Sequence, residues 1–204
     1  PYTTLFRSDL QIGDLLEVED IVKTGLDSYC EIQFGETAVV RVQESTELAM
    51  SKLNLTPGES DVGLKMGAGS VLCKVQKLAG AEKFKVKTQT AVCGVRGTEF
   101  SVNSDKNNKT VLAVKEGSVA VLPSSVDVDE LKEKVKDKGE DIEKIIDEIE
   151  KSAPVVEANQ EMDVDETTME ETEELAQEVE KVVQEIAEDE EEEANEEQLE
   201  VLAK

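Results

Sequence analysis

Apolar and polar residues alternate along most of the first 123 residues, in short runs separated by turn-forming residues. The run 28–34 places its apolar side chains on one face of a strand, and the run 37–43 does the same after a turn at Gly35–Glu36. A two-residue period is typical of strands with one buried face. The two runs together therefore predict a β-hairpin.

The same period recurs downstream, with turn signals such as Thr56-Pro57-Gly58 and Asp105–Asn108 between the runs. No convincing 3.6-residue period appears in this part of the chain. Roughly ten short strands at this spacing predict an all-β fold: a sandwich, a barrel or a short solenoid. The further runs are 61–66, 69–76, 82–88, 98–104, 109–115 and 118–122.

Beyond Pro123 the period changes, which divides the rest of the chain into three predicted segments. Residues 124–153 form an amphipathic acidic helix, 154–171 a linker, and 172–204 a second acidic helix or a disordered tail. Short isolated helices are marginal in water, so partial order is expected here. The apolar positions of the two stripes are Leu131, Val135, Ile142, Ile145 and Ile149, then Leu175, Val179, Val182 and Ile186.

Charge supports the same boundary. Residues 1–123 carry 14 Lys/Arg against 16 Asp/Glu, a net of −2, whereas 124–204 carry 8 against 32, a net of −24. An acidic chain of this kind repels nucleic-acid phosphates and anionic membrane surfaces, so we expect no nucleic-acid partner. Cations and basic protein surfaces are compatible with it. The tail can bind divalent cations weakly, but no D-x-D-x-D-G loop predicts a dedicated calcium site.

Candidate catalytic and metal-binding chemistry is sparse. The chain has no His, which excludes Ser–His, Cys–His and His–metal arrangements from this chain alone. Cys30, Cys73 and Cys93 form no CxxC pair and sit in apolar runs, so we interpret them as small buried hydrophobic residues. A redox or nucleophilic role is the alternative. We predict no cofactor, no metal site and no catalytic residue.

The N-terminus looks artificial. The chain lacks an initiator Met, and residues 1–8 match the translation of a common sequencing adapter, so the natural sequence is expected to start near Asp9. No run of about 18 apolar residues predicts a transmembrane helix. We expect that an export signal was lost with the true N-terminus.

Two segments carry a recognisable motif. Thr88-Gln-Thr-Ala-Val-Cys-Gly-Val-Arg-Gly-Thr-Glu-Phe-Ser-Val102 is followed by Thr110-Val-Leu-Ala-Val-Lys-Glu-Gly-Ser-Val-Ala-Val121. They resemble the "T-P-x-A-x-x-x-V-R-G-T-x-F-x-V" and "T-x-V-x-V-x-E-G-x-V-x-V" runs of FecR-domain proteins. Upstream, Ile21–Gly25 is similar to that family's "V-x-T-G" and Gly69–Val71 to its "G-x-V". The motif residues are Gly25, Gly69, Thr88, Ala91, Val95, Arg96, Gly97, Thr98, Phe100, Glu116 and Gly117.

The resemblance covers about residues 11–122 and implies a compact β-sandwich or β-solenoid-like domain over 9–123, located in the periplasm or cell envelope. Gln89 and Cys93 depart from the family's usual Pro and small residue. The N-terminal anti-sigma helical region and transmembrane helix of the classical iron-uptake regulators are not recognisable. The resemblance therefore implies a binding or sensing role but not control of a sigma factor.

The motif residues have structural interpretations. Gly97 is expected to adopt a backbone conformation closed to residues with a Cβ, and Thr98 to bond a neighbouring backbone group. Arg96 would direct its guanidinium onto backbone carbonyls or onto Glu99 or Glu116. An anion or peptide-carboxylate site at Arg96 is the alternative.

Two further features have simple interpretations. Glu116 and Gly117 would form the hairpin turn between the last two strands. The row Lys83, Lys85 and Lys87 would be the solvent face of a strand, where lysine also discourages edge-to-edge pairing. A glycan- or peptide-binding row is the alternative for these lysines.

Taken together, the sequence predicts a non-enzymatic extracytoplasmic module of the bacterial cell envelope that binds, senses or scaffolds signalling, with a protein or envelope component as partner. The acidic tail would be a solvated spacer. The rival prediction is a structural envelope protein that oligomerises by coiled-coil pairing of its tail. A carboxylate-pair hydrolase is a third hypothesis; it would need two acids facing one cleft, whereas the acids of the β-region are scattered over predicted outer faces and turns.

Overall fold

A computed structural model describes residues 9–78, 82–95, 97–126 and 153–165, together with the single residues 128, 132, 146 and 181. Within the four described ranges the chain forms thirteen strands. They are β1 (Ile21–Lys23), β2 (Cys30–Phe34), β3 (Ala38–Val42), β4 (Glu47–Asn54), β5 (Asp61–Met66), β6 (Gly69–Val75), β7 (Lys83–Lys87), β8 (Ala91–Val95), β9 (Glu99–Ser104), β10 (Thr110–Glu116), β11 (Ser118–Pro123), β12 (Val155–Glu157) and β13 (Gln160–Val164).

These strands form two sheets. The seven-stranded sheet has the order β1-β4-β5-β7-β8-β11-β12, and the six-stranded sheet has the order β13-β10-β9-β6-β3-β2. The prediction of an all-β domain is thus confirmed for the described residues. The hairpin predicted at Gly35 is also confirmed, because β2 pairs with β3 in antiparallel register.

The core lies between the sheets. Along β3 the residues alternate between buried and exposed, and β7 buries Phe84 and Val86 between its three lysines, as the two-residue period predicts. Phe34 of the six-stranded sheet meets Phe84 of the seven-stranded sheet edge to face, with ring centroids 6.3 Å apart. One apolar interior therefore holds the two sheets together.

The turn at Gly117 differs from the prediction. Strand β10 pairs with β9 and β13, whereas β11 pairs with β8 and β12, so the two consecutive strands belong to different sheets. Glu116 and Gly117 are therefore not a hairpin turn. They form a corner where the chain crosses from one sheet to the other, which alternation along each strand cannot distinguish from a hairpin.

Residues 155–164 also differ from the prediction, which placed a linker over 154–171. Strand β12 pairs with β11 at the edge of one sheet, and β13 pairs with β10 at the edge of the other. The turn between them places Asn159 at φ +64° and lets its N–H donate to the carbonyl of Val114 at 2.7 Å. These strands are short and acidic, so the docking sites on β10 and β11, and not their own pattern, explain why they form.

The remaining predictions for the C-terminal part, a helix over 124–153 and a helical or disordered tail over 172–204, fall largely outside the described residues. So does the predicted artefact at residues 1–8.

Candidate functional site

Three chain crossings between the sheets meet at one corner, which we call the glycine corner (Lys77, Gly97, Thr98 and Gly117). Gly97 has φ +73° and Gly117 has φ +84°, a region that favours glycine. A Cβ on Gly97 would lie 2.8 Å from the Cα of Lys77, and one on Gly117 would lie 2.6 Å from the carbonyl oxygen of Gly97. The corner thus needs both glycines for space as well as for conformation.

Thr98 ties the crossings together by hydrogen bonds. Its buried hydroxyl donates to the carbonyl of Ser118 at 2.8 Å, which links the start of β9 to the start of β11. Its own carbonyl accepts the N–H of Val75 at 2.9 Å. Both bonds satisfy a backbone group that is at least partly withdrawn from water, where an unpaired polar group is costly.

Arg96 lies outside the described residues, so its guanidinium contacts stay a prediction. One of its predicted partners, Glu99, already has another partner. The Nζ of Lys115 donates a hydrogen bond to the Oε1 of Glu99 at 2.5 Å, and this bond lowers the pKa of Glu99. The neighbouring motif residues Val95 and Phe100 are both buried and belong to the shared core.

The opposite end of the motif is a cluster of buried hydroxyls, which we call the threonine end (Thr88, Thr90 and Thr110). The Thr88 and Thr110 hydroxyls lie 2.8 Å apart, and Thr90 donates to Thr110 at 2.9 Å. Thr88 also closes the β7–β8 turn, because its Oγ1 accepts the N–H of Ala91 at 3.0 Å. The motif residues Thr88 and Ala91 therefore shape a turn and join it to β10.

Thr46 connects the two upstream motif fragments. Gly69, at φ +137°, lies so close that a Cβ would be 2.5 Å from the Cα of Thr46. The N–H of Thr46 donates to the hydroxyl of Thr24 at 3.0 Å, and its own hydroxyl accepts the N–H of Ser70 at 2.9 Å. Gly25, next to Thr24, accepts the N–H of Ser45 at 3.1 Å. Sequence reasoning missed Thr46, because nothing in its local pattern marks a threonine that other segments pack around.

Two of the three cysteine thiols lie inside the core. All three cysteines are free; Cys73 and Cys93 are fully buried and Cys30 is partly buried. Burial raises the pKa of Cys93 to about 12 and that of Cys73 further, so both are thiols at neutral pH. This agrees with their interpretation as small hydrophobic residues, since the thiolate is the reactive form.

The described motif residues at these two ends are mainly glycines, hydroxyls bonded to one another or to backbone, and apolar core side chains. Within the described residues no group of three or more His, Cys, Asp or Glu is arranged to hold a metal ion. The geometry assigns them the task of fixing how the chain passes between the sheets.

The lysine row has a different setting from the predicted one. Strand β7 lies inside its sheet, parallel to β5 and antiparallel to β8, so its lysines do not protect an edge. Lys83, Lys85 and Lys87 are half-buried on the outer face, and the last two line a groove that encloses about 240 Å³.

Comparison with known proteins agrees with the motif. The family model "FecR protein" matches residues 20–120. Residues 20–120 are therefore a FecR domain, as the motif predicted. No curated protein matches the chain.

Two solved structures are similar, both crystal structures of a proposed anti-sigma factor from Parabacteroides distasonis. The first, at 2.50 Å resolution, is 17% identical with a TM-score of 0.43, and the alignment covers 51% of this chain and 47% of that one. The second, at 1.65 Å resolution, is 18% identical with a TM-score of 0.43 and covers 50% and 46%. This chain thus spans less than half the length of either structure. Among the described residues no helix is both long and apolar enough to cross a membrane.

Proposed function

We propose that the chain is a non-enzymatic FecR-domain protein of the bacterial cell envelope, which acts outside the cytoplasm as a binding, sensing or signalling-scaffold module. The observation that carries this is the FecR domain over residues 20–120. Membership of this family supports a signalling or sensing role. Family membership does not establish where the protein acts or what it binds. We therefore propose both the location outside the cytoplasm and a protein or envelope component as partner.

The arrangement of the described residues supports a binding module more than an enzyme. Its buried polar groups, such as Thr98 and Thr110, hold the two sheets in place, and Cys73 and Cys93 are protonated inside the core. A rigid sandwich of this kind presents loops and outer faces to partners, which is how such domains usually carry function.

The address is tested with the natural reading frame, expressed from its own start codon with a C-terminal tag in a bacterium with two membranes. The expected result is that added protease degrades the protein in spheroplasts but not in intact cells. A cytosolic marker that stays intact in the same spheroplasts is the control. Protection of the tagged protein in spheroplasts would overturn the extracytoplasmic address.

The binding role is tested by placing a photo-crosslinking amino acid at exposed apolar positions. Leu26 and Tyr29 are 81% and 63% exposed, whereas Val40 is fully buried and provides the matched control. A discrete crosslinked envelope protein at the exposed positions, absent at Val40, is the expected result. Crosslinks only between copies of this chain would favour the rival, a structural protein that oligomerises through its tail.

The rival is tested separately by sedimentation of residues 9–204 against residues 9–165. The shorter chain ends after Asp165 because β13 runs to Val164, so a cut at Pro123 would remove two strands. The binding module predicts equal oligomeric states, whereas an oligomer that depends on residues 166–204 supports the structural protein. Circular dichroism of both chains checks that the shorter one is folded.

A further inference from the structure

The outer face of the seven-stranded sheet carries a trough that crosses five strands. In register across β4, β5, β7, β8 and β11, each residue faces the next: Lys52, Gly63, Lys85, Gly94 and Ala120. Three of these five have no side chain beyond a methyl group, so a path across the sheet is left open. The groove of about 240 Å³ lies along this path.

A second row of residues borders the trough, with lysines on two strands and apolar side chains on the next two. Lys65 of β5, Lys87 of β7, Val92 of β8 and Leu122 of β11 stand side by side in register. One half of the groove is therefore lined by lysines and the other half by apolar side chains. Such a surface fits an amphipathic segment with carboxylates beside an apolar stripe.

The apolar half is already covered. Leu122, Val126 and Val128 line this outer groove, yet they are only 7%, 5% and 3% exposed. They do not belong to the core between the sheets. Ile146 and Ala153 are buried as well, at 0% and 5% exposed, and also lie outside that core. A second apolar cluster must therefore exist on an outer surface.

The path of the chain indicates where that cluster is. The chain leaves β11 at Pro123 and returns beside the same strand at Pro154, whose carbonyl accepts the N–H of Val121 at 2.8 Å. Strand β12 then pairs with β11. The described residues on both sides of 127–152 thus lie beside β11, the strand that contributes Leu122 to the apolar half of the groove. They carry 11 Asp/Glu against 6 Lys.

We propose that residues 127–152 of this chain occupy the groove, with Ile146 seated on its apolar half and acidic side chains directed at the lysines. Three observations support this occupant. The segment is acidic and the groove carries lysines, Ile146 is buried outside the core, and the described chain on both sides of the segment lies beside β11. The FecR domain would then carry a built-in acidic ligand on this face. An external acidic partner would have to displace it.

The first experiment measures how fast an amine-reactive reagent labels individual lysines of the full chain, by mass spectrometry. Lys74 is the matched reference, because it is an exposed strand lysine on the outer face of the other sheet. We expect Lys85 and Lys87 to react at least about tenfold more slowly than Lys74. In Ile146→Asp this protection should fall most of the way to the Lys74 rate, while Leu26→Asp, at an exposed position, should leave it unchanged.

Equal rates in the native chain, or protection that survives Ile146→Asp in a folded variant, would overturn the proposal. Should that variant fail to fold, a second experiment on the native chain decides. A zero-length carbodiimide crosslinker joins lysines to contacting carboxylates, and an isotope-mixed sample separates crosslinks within and between molecules. Crosslinks from Lys85 or Lys87 to residues 127–152 of the same molecule support the proposal. Crosslinks to 166–204 instead, or only between molecules, contradict it.

Discussion

The glycine corner and the threonine end are held together by different means. At the corner, Gly97 and Gly117 let three stretches of backbone approach so closely that a methyl group would collide with main-chain atoms. At the other end, Thr88, Thr90 and Thr110 fill the gap between the sheets with hydroxyls that bond one another. The glycine corner is therefore stable only because its glycines have no side chain. The threonine end is stable because its side-chain hydroxyls hydrogen-bond one another.

This difference shows that a short motif can encode two separate structural constraints. Backbone packing at the corner tolerates no added carbon, because main-chain atoms have nowhere to move. A hydroxyl cluster tolerates a change of shape better than a loss of hydrogen bonds, since the cost comes from the polar groups left unpaired. Substitutions at the two ends should therefore differ in size and in which replacement rescues them.

The largest expected effect is that of Gly97→Ala. A Cβ at this position meets both an unfavourable φ and the Cα of Lys77, so we expect a loss of roughly 2–4 kcal/mol in the free energy of unfolding. Gly58→Ala is the matched control, because Gly58 has φ +83° but a Cβ added there would meet nothing within 4 Å. Urea denaturation of both variants measures the difference. Equal losses would show that conformation alone, and not close packing, demands glycine at the corner.

A smaller effect is expected at the threonine end. Thr110→Val removes the hydroxyl that both Thr88 and Thr90 contact and should cost about 1–3 kcal/mol. Thr110→Ser keeps the hydroxyl and should recover most of this loss. The same denaturation measurement checks both variants. If the serine variant is as unstable as the valine variant, the methyl group and not the hydrogen bonding matters there.

The stability of the domain should depend on pH through Cys93, which lies in the core between the two ends. Burial raises the pKa of Cys93 from 9.0 to about 12, so the unfolded chain releases this proton at lower pH than the folded one. The thiol's contribution to stability is therefore complete below pH 9 and is lost as the pH rises towards 12. Urea midpoints should therefore fall between about pH 9 and about pH 10, and less steeply in Cys93→Ala. Parallel slopes in the two proteins would contradict this assignment.

The smallest effects are expected from ion pairs at the surface near each end. The Nζ of Lys109 donates a hydrogen bond to the Oδ2 of Asp163 at 2.7 Å, and this bond raises the pKa of Lys109. The Nζ of Lys115 lies 2.5 Å from the Oε1 of Glu99. Exposed pairs of this kind contribute little to stability. We expect Lys109→Ala and Lys115→Ala to leave the melting temperature of the protein nearly unchanged. A fall of more than about 4 °C in either would show that the pair supports its end of the domain.

Local pattern accounted for the strands but not for how they are joined. The two-residue period correctly placed buried faces such as Ala38–Val42 and the alternation of β7, because one face of each strand must leave water. It did not reveal that β10 and β11 belong to different sheets, since a corner and a hairpin present the same run of residues. The pattern also placed the lysines of β7 on the outer face of a strand, but it did not reveal that this strand lies inside its sheet.

The amino-acid sequence by itself determined the all-β class, the hairpin at Gly35 and the FecR motif, because these depend on side-chain periodicity and on residue types at fixed spacing. Only the tertiary structure decided that Thr46 joins two distant motif fragments and that residues 155–164 complete both sheets. Those features depend on which segments meet in space. A weakly patterned strand or a lone threonine carries no local sign of the neighbour that gives it its role.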